Sequence, residues 1–266
     1  MSIKFCPLFS GSSGNSTFIS YGGTRLLVDA GRSGTQIEEA LRLIGEDPAS
    51  LDGILVTHEH QDHIKGVGIL SRRFHIPIYA TPATWQAMPA SIGKIAPDMK
   101  REFTIGEDFY LGAMGIDTFP VPHDAADPCG FRLWGGRGSV AVATDLGYLP
   151  LRVMGALEGS SLVLMESNYD PDMLRNNEHY RYVLKQRISS RKGHLSNADC
   201  AEGMLALFEK GTKHFILGHL SGENNTPELA SQTTQVRFEL EGINPGEGVF
   251  ISMAHRDRVG EVYTLA

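Results

Sequence analysis

The sequence predicts an α/β protein of two β-sheets flanked by helices, and two observations predict it. Short strand-like runs joined by glycine turns come first, and further on buried-strand patterns alternate with helical ones. In order, a strand over Ile3–Phe9 leads into the turn Ser10-Gly11-Ser12-Ser13-Gly14-Asn15. Strands Thr17–Tyr21 and Arg25–Asp29 follow, and Gly22-Gly23 between them is a hairpin signal. Thr35–Ile44 carries apolar residues at 37, 40, 41 and 44, the spacing of one helix face. An apolar strand, Gly53–Thr57, runs straight into His58. Val140–Thr144, Leu162–Glu166 and Phe215–Gly218 read as buried strands, each ending at or beside a polar residue. Helical patterns cover Asn176–Ser189, Asn197–Lys210 and Thr226–Leu240. Ser196 and Thr226 are expected to cap the last two, with Pro227 at the first helical position.

Composition bounds the function classes. At 266 residues and 41% hydrophobic content the chain can bury a full core, and nothing separates its halves, so residues 1–266 read as a single domain. Met1–Ser20 carries one Lys and no apolar run, and no stretch reaches the ~18 apolar residues of a membrane span, so a cytoplasmic protein without a membrane partner is expected. The three cysteines, Cys6, Cys129 and Cys200, form no C-x-x-C pair and read as buried free thiols. A net charge of −7 argues against a protein that coats nucleic acid with its whole surface, though it permits a local basic groove.

The segment Thr57-His58-Glu59-His60-Gln61-Asp62-His63 places four ligand-type side chains directly after an apolar strand. In extended chain His58 and His60 point to one side and can share an ion, while Asp62 and His63 can face a second. Further candidates, each after an apolar strand, are His123, Asp145 and His219. Asp145 has two oxygens and could bridge two ions. His75, His179, His214 and His255 read as structural or surface residues.

His-x-His-x-Asp-His followed by a separate His, an Asp and a His resembles the signature of the metallo-β-lactamase superfamily. The resemblance implies a four-layer αβ/βα sandwich with the site at one edge of two sheets. It implies that His58, His60 and His123 hold one metal, that Asp62, His63 and His219 hold the second, and that Asp145 bridges them. A bridging Asp sets the chain apart from the true β-lactamases that use a thiolate there, and the absence of His-x-Glu-x-Asp sets it apart from flavodiiron oxygen reductases. The donor set of His and carboxylate without Cys suits two divalent ions of zinc, manganese or iron.

A phosphodiester substrate is expected from two further features. His194, in Lys192-Gly193-His194-Leu195-Ser196-Asn197, is similar to a histidine of the phosphodiesterase branch, which includes the tRNA 3′-processing endonucleases; there an acidic residue supports it, and Glu166 is the candidate. Between Arg175 and Lys192 stand six basic residues and one acidic residue, Glu178. Arg181 and Lys185, and Arg187 and Arg191, are spaced i,i+4, so Arg181, Lys185, Arg191 and Lys192 are candidates for tracking a nucleic-acid backbone. Ser12, Ser13 and Asn15 are candidates for a phosphate-binding loop.

Ser10–Asn15, Glu166-Ser167-Asn168, Gly193–Asn197 and Gly218–Asn225 together resemble the bacterial YycJ/WalJ family over nearly the whole chain. That implies a two-metal 5′→3′ DNA exonuclease, with Asp62 orienting the nucleophilic hydroxide and His194 stabilising the phosphoryl oxygens or protonating the leaving 3′ oxygen. Tyr169 departs from the family, which has His there. Two alternatives share the metal core: a lactonase- or thioesterase-like small-molecule hydrolase, and an RNA-processing endonuclease. A regulatory protein that has lost activity has no need of an intact ligand set. The stretch from Asp145 to His219 is too short for the β-CASP module of RNA-maturing relatives, which favours DNA. Oligomeric state is left open.

Overall fold

In a computed structural model, which describes residues 1–265, the chain crosses one sheet, then a second, then returns to the first. The first sheet takes β1 (Ile3–Phe9), β2 (Ser16–Tyr21), β3 (Thr24–Val28), β4 (Gly53–Leu55), β5 (Ile78–Ala80) and β6 (Lys100–Glu102) in spatial order. The second takes β7 (Phe109–Leu111), β8 (Met114–Pro120), β9 (Cys129–Gly135), β10 (Gly138–Ala143), β11 (Leu162–Glu166), β12 (His214–Gly218) and β13 (Phe250–Met253). β14 (Tyr263–Leu265) pairs antiparallel with β1 and closes the edge of the first sheet. Helices α1 (Gly34–Leu43), α2 (Gln61–Ile64), α3 (Val67–Phe74) and α4 (Pro82–Ala87) belong to the first half. α5 (Leu151–Leu157), α6 (Pro171–Asn176), α7 (Tyr182–Ile188), α8 (Asn197–Glu209) and α9 (Pro227–Leu240) belong to the second.

Strand alternation explains the layering. Leu26 and Val28 of β3, and Val140, Val142, Leu162 and Leu164 of β10 and β11, pack in a core between the two sheets. Their neighbours face outward: Leu27 joins Ile37, Leu41, Val67 and Leu70 under α1 and α3. Ala141, Val163 and Met165 join Leu157, Met204 and Phe238 under α5, α8 and α9. Period-two strands buried on both faces thus generate three apolar interfaces and four layers, the expected αβ/βα sandwich.

Of the elements the sequence predicts, most lie within one or two residues of their expected bounds. The Gly22-Gly23 hairpin forms, with φ of 58° and 92°, and Ser196 and Thr226 cap α8 and α9 by accepting from the N–H of Asp199 and Leu229. One expectation is corrected: Asn176–Ser189 is not a continuous helix. The Asn177 side chain accepts from the N–H of His179 (2.9 Å) and Tyr180 (3.1 Å), an Asx turn that stops the chain between α6 and α7. α7 ends at Ile188, so Arg191 lies past it and does not share a helix face with Arg187. All three cysteines are free and buried, and burial pushes their thiols up, that of Cys6 to about 12. Among the described residues no helix is long and apolar enough to cross a membrane.

Candidate metal centre

Parallel strands deliver the site residues at their C-terminal ends. His58 and His60 follow β4, Asp145 follows β10, Glu166 ends β11 and His219 follows β12, while His123 leaves the antiparallel β8. Asp29, Asp145 and His219 sit at φ of 61°, 58° and 52°, a left-handed conformation that non-glycine residues adopt at some cost. Each stands where a strand must turn sharply to aim a side chain into the seam between the sheets.

Five imidazoles and two carboxylates meet there. Ring centroids of His58, His60 and His123 are 4.6–5.1 Å apart, and their nitrogens converge closely enough to share one cation. Asp145 Oδ2 is 3.1 Å from His63 Nε2 and 2.9 Å from His219 Nδ1. Asp62 Oδ2 is 3.7 Å from His63 Nε2 and 3.9 Å from His219 Nε2, and Asp145 Oδ1 is 3.9 Å from His123 Nε2. Asp145 thus spans both groups of ligands. All seven expected ligands come together.

Neighbouring groups set the ring tautomers. Thr57 Oγ1–H donates to Asp29 Oδ2 (2.8 Å), and His58 Nδ1–H donates to Thr57 Oγ1 (3.0 Å). His63 Nδ1–H donates to Asp29 Oδ2 (2.7 Å), and His123 Nδ1–H to the Gly193 carbonyl (3.1 Å). Each leaves Nε2 turned to the cluster, the usual way a protein orients imidazole ligands. His58 Nε2, Asp145 Oδ2 and His219 Nδ1 are nonetheless buried without a hydrogen-bond partner, because the close approaches of the last two lack hydrogen-bond direction. Leaving such atoms unpaired costs about 1–3 kcal/mol each, and three at one point fit a cation. The residues therefore fit divalent metal ions.

Protonation tells the same story. Burial, with the neighbouring rings, holds His58 well below the ordinary imidazole range, and burial lowers His123, so both are neutral donors. His63 is buried too, yet Asp145, Asp29 and Asp62 together hold it well above. Burial would raise Asp145, but His219 and His63 hold it well below the usual carboxylate range. The site is built to carry positive charge among carboxylates.

A cleft of about 170 Å³ opens over the cluster, lined among others by Ser12, Asp62, Asp124, Arg187 and His194. His194 Nδ1–H donates to Glu166 Oε1 (2.7 Å), which leaves Nε2 free. Although burial works against its charge, Glu166 pushes His194 up to about 9. Arg187 Nε donates to Asp124 Oδ2 (2.6 Å), and Asp124 Oδ1 lies 3.5 Å from His123 Nε2.

The substrate-binding candidates fare differently. Ser12 lines the cleft, but Ser13 accepts from Arg32 (2.8 Å). Asn15 uses its backbone N–H on the Asp62 carbonyl (2.7 Å), and its side-chain nitrogen is 3.1 Å from His63 Nε2, so it supports the ligand loop. Arg181 is the exposed residue preceding α7, Lys185 Nζ donates to the Arg175 carbonyl (2.7 Å), Lys192 is exposed, and the Arg191 guanidinium sits 4.0 Å over the Tyr148 ring. None of these four lines the cleft; Arg187, not singled out among the basic residues, does. Asp29, Asp124 and Glu59, whose Oε1 accepts from Ala126 N–H (2.9 Å), were also missed. Asp29 carried a signal, since it ends an apolar strand as the ligands do.

Comparisons with known proteins agree. The family model for the beta-lactamase superfamily domain matches residues 24–220. The chain is 44% identical over 232 residues to the exodeoxyribonuclease WalJ of Streptococcus pneumoniae serotype 2 (strain D39 / NCTC 7466), covering 86% of each. It is 39% identical over 247 residues to the exodeoxyribonuclease YycJ of Bacillus anthracis, covering 93% of each. The metallo-beta-lactamase fold protein YhfI from Bacillus subtilis superposes with a TM-score of 0.74 at 18% identity, over 99% of this chain and 100% of that one. The chain belongs to the metallo-β-lactamase superfamily, in the family of the WalJ and YycJ proteins.

Proposed function

We propose that this protein is a phosphodiesterase using two divalent ions of zinc, manganese or iron, and that it removes nucleotides from the 5′ end of DNA. The observation that carries the reading is the His194–Glu166 pair at the lip of the metal cleft. A charged imidazole with a free Nε2 beside a cation cluster suits an anionic substrate with a poor oxygen leaving group. His58, His60 and His123 would hold one ion, Asp62, His63 and His219 the other, and Asp145 both. Bound there, the ions would supply Lewis acidity toward the phosphoryl oxygens and a water acidic enough to attack near neutral pH.

The chain's own residues do the rest. The Asp62 carboxylate accepts the proton of the attacking water. His194, charged below about 9, gives its Nε2 proton to the leaving 3′ oxygen. The Arg187 guanidinium, held through Nε by Asp124, keeps its remaining N–H groups for a phosphate. A lactonase or thioesterase would need an apolar cleft, whereas this one is walled by His, Asp and Arg with only Leu184 and Ile188 as large apolar side chains. The DNA preference is supported by the names of the two relatives, both exodeoxyribonucleases.

Digestion of 5′- and 3′-labelled single- and double-stranded DNA and RNA with Mn²⁺ or Zn²⁺ tests the reading, with Asp145→Ala as control. Stepwise loss from the 5′ end of DNA, absent in the variant, is expected. Turnover of a lactone or thioester without cleavage of any nucleic acid would overturn it.

A further inference from the structure

Two cavities share helix α7. Leu184, Arg187 and Ile188 line the 170 Å³ cleft at the metal centre. Tyr182 and Lys185, on another face by helical spacing, line a larger cavity of about 470 Å³ with Tyr169, Pro171, Leu174 and Arg175. α7 buries none of its residues, and Tyr182 is 72% exposed although a protein has no structural use for a ring on such a face. Gln186 Nε2 donates to the Tyr182 hydroxyl (2.8 Å), so the ring is laid along the helix rather than left loose. Tyr169 is buried up to its last few per cent at the other wall. Lys185 Nζ spends one donor on the Arg175 carbonyl and keeps two. Arg175 pairs with Asp172 (2.7 Å), an exposed contact that water weakens.

Aromatic and apolar walls with a cationic rim fit one class of ligand well: a nucleotide, whose base stacks while its phosphate meets the cations. The volume falls within the range of about 300–1,000 Å³ usual for small-ligand sites. A helix with its side chains is about 10–12 Å across, so a strand passing from one face of α7 to the other covers about three nucleotides at the 3.4 Å stacking repeat. In a chain of net charge −7, positive side chains gathered on this one segment are complementary to a polyanion.

The geometry points to a second nucleotide subsite in this cavity, where a base of the single DNA strand stacks against Tyr182 with its phosphate at Lys185 and Arg175, about three nucleotides from the phosphate at the metal centre. The subsite rests on the nuclease reading and deepens it. It makes α7 a partition over which the strand is drawn, so the enzyme grips its substrate beyond the bond it cuts.

The test compares wild type, Tyr182→Ala and Tyr182→Trp as metal-loaded full-length enzyme. KM and kcat are measured on thymidine oligonucleotides of two and of six residues and on bis-p-nitrophenyl phosphate, and binding of a labelled hexathymidylate is followed by anisotropy. Tyr182→Ala is expected to raise KM and Kd for the hexanucleotide about tenfold and to leave kcat, the dinucleotide and the small diester unchanged. Tyr182→Trp is expected to restore the wild-type values. Equal losses on all three substrates, or none on the hexanucleotide while wild type binds it, would overturn the subsite and leave the nuclease reading intact. A change of oligomeric state in Tyr182→Ala with unchanged hexanucleotide affinity would assign the face to a second copy of the chain instead. A wild type that neither binds nor cuts any oligonucleotide would overturn the nuclease reading itself.

Discussion

Glu166 Oε1 accepts from His194 Nδ1 at 2.7 Å while its other oxygen accepts from the N–H of Leu146 (2.9 Å) and of Leu195 (3.2 Å). One buried carboxylate at the end of β11 thereby ties the loop of Asp145, the proposed bridging ligand, to the loop of His194, the proposed proton donor. Removing the donor should show in turnover. His194→Ala is expected to lower kcat about 100-fold or more, the usual contribution of a positioned general acid, with KM within a few fold, in steady-state assays on DNA.

The same pair predicts a pH profile. Burial pushes His194 down, but Glu166 overrides it and holds the imidazole up to about 9. A group needed in its charged form supports activity below that value and loses it as pH rises through it. Glu166→Gln still accepts from Leu146 and Leu195 but removes the charge. The alkaline limb of kcat should therefore move toward neutral pH, and an unmoved limb would show that His194 is not the titrating acid.

Metal removal should destabilise the fold. Bound cations would satisfy His58 Nε2, Asp145 Oδ2 and His219 Nδ1, which are otherwise buried and unpaired. A ligand held at 1,000 times its Kd stabilises by about 4 kcal/mol, and each kcal/mol shifts Tm by roughly 2–4 °C in a chain of this size. Chelation is expected to lower Tm by about 10 °C in calorimetry. Asp145→Ala should start at the lower value and respond little to chelator, with reduced metal content by elemental analysis.

Asp29 acts through His63. Its Oδ2 fixes the ring and its Oδ1 accepts from Thr57 N–H (2.9 Å), while its own φ is 61°. Asn tolerates that backbone conformation well, so Asp29→Asn isolates the loss of the carboxylate from backbone strain. Metal affinity is expected to fall 10–100-fold, as for other groups that orient a ligand. Titration of the apo-protein with Zn²⁺ measures it; unchanged affinity would restrict Asp29 to a structural role.

The candidate ligands were legible because His58, His123, Asp145 and His219 come after apolar runs long enough to recognise, and because four stand within six residues. Asp29 ends a similar run but lies far from them in sequence, and only the pairing of β3 with β4 brings it beneath Thr57. β5, β6 and β7 are three residues each, and β6 is exposed throughout, so no period could mark them. Helical spacing in 176–189 concealed the Asx turn at Asn177, because a side-chain bond to the backbone leaves no trace in hydrophobic pattern. Arg187 lines the cleft from α7, which starts after that turn.

Gly31 is the most exacting small residue at the site. A Cβ there would lie 1.7 Å from the Asp62 carbonyl oxygen and 2.6 Å from Asn15 N, the two ends of the 2.7 Å hydrogen bond that holds the ligand loop. Both neighbours are backbone, so neither can swing aside as a side-chain tip would. Gly31→Ala must therefore separate Asn15 from Asp62 or shift the turn carrying Asp62 and His63, and both ligands move together. The expected result is loss of the second metal before the first, since Asp62 and His63 both serve the second, whereas His58 and His60 precede the displaced turn and His123 comes from another segment. Metal content near one per chain, with activity reduced at least 100-fold, is the predicted signature; two ions per chain with wild-type turnover would show that the loop has room that the backbone contacts deny.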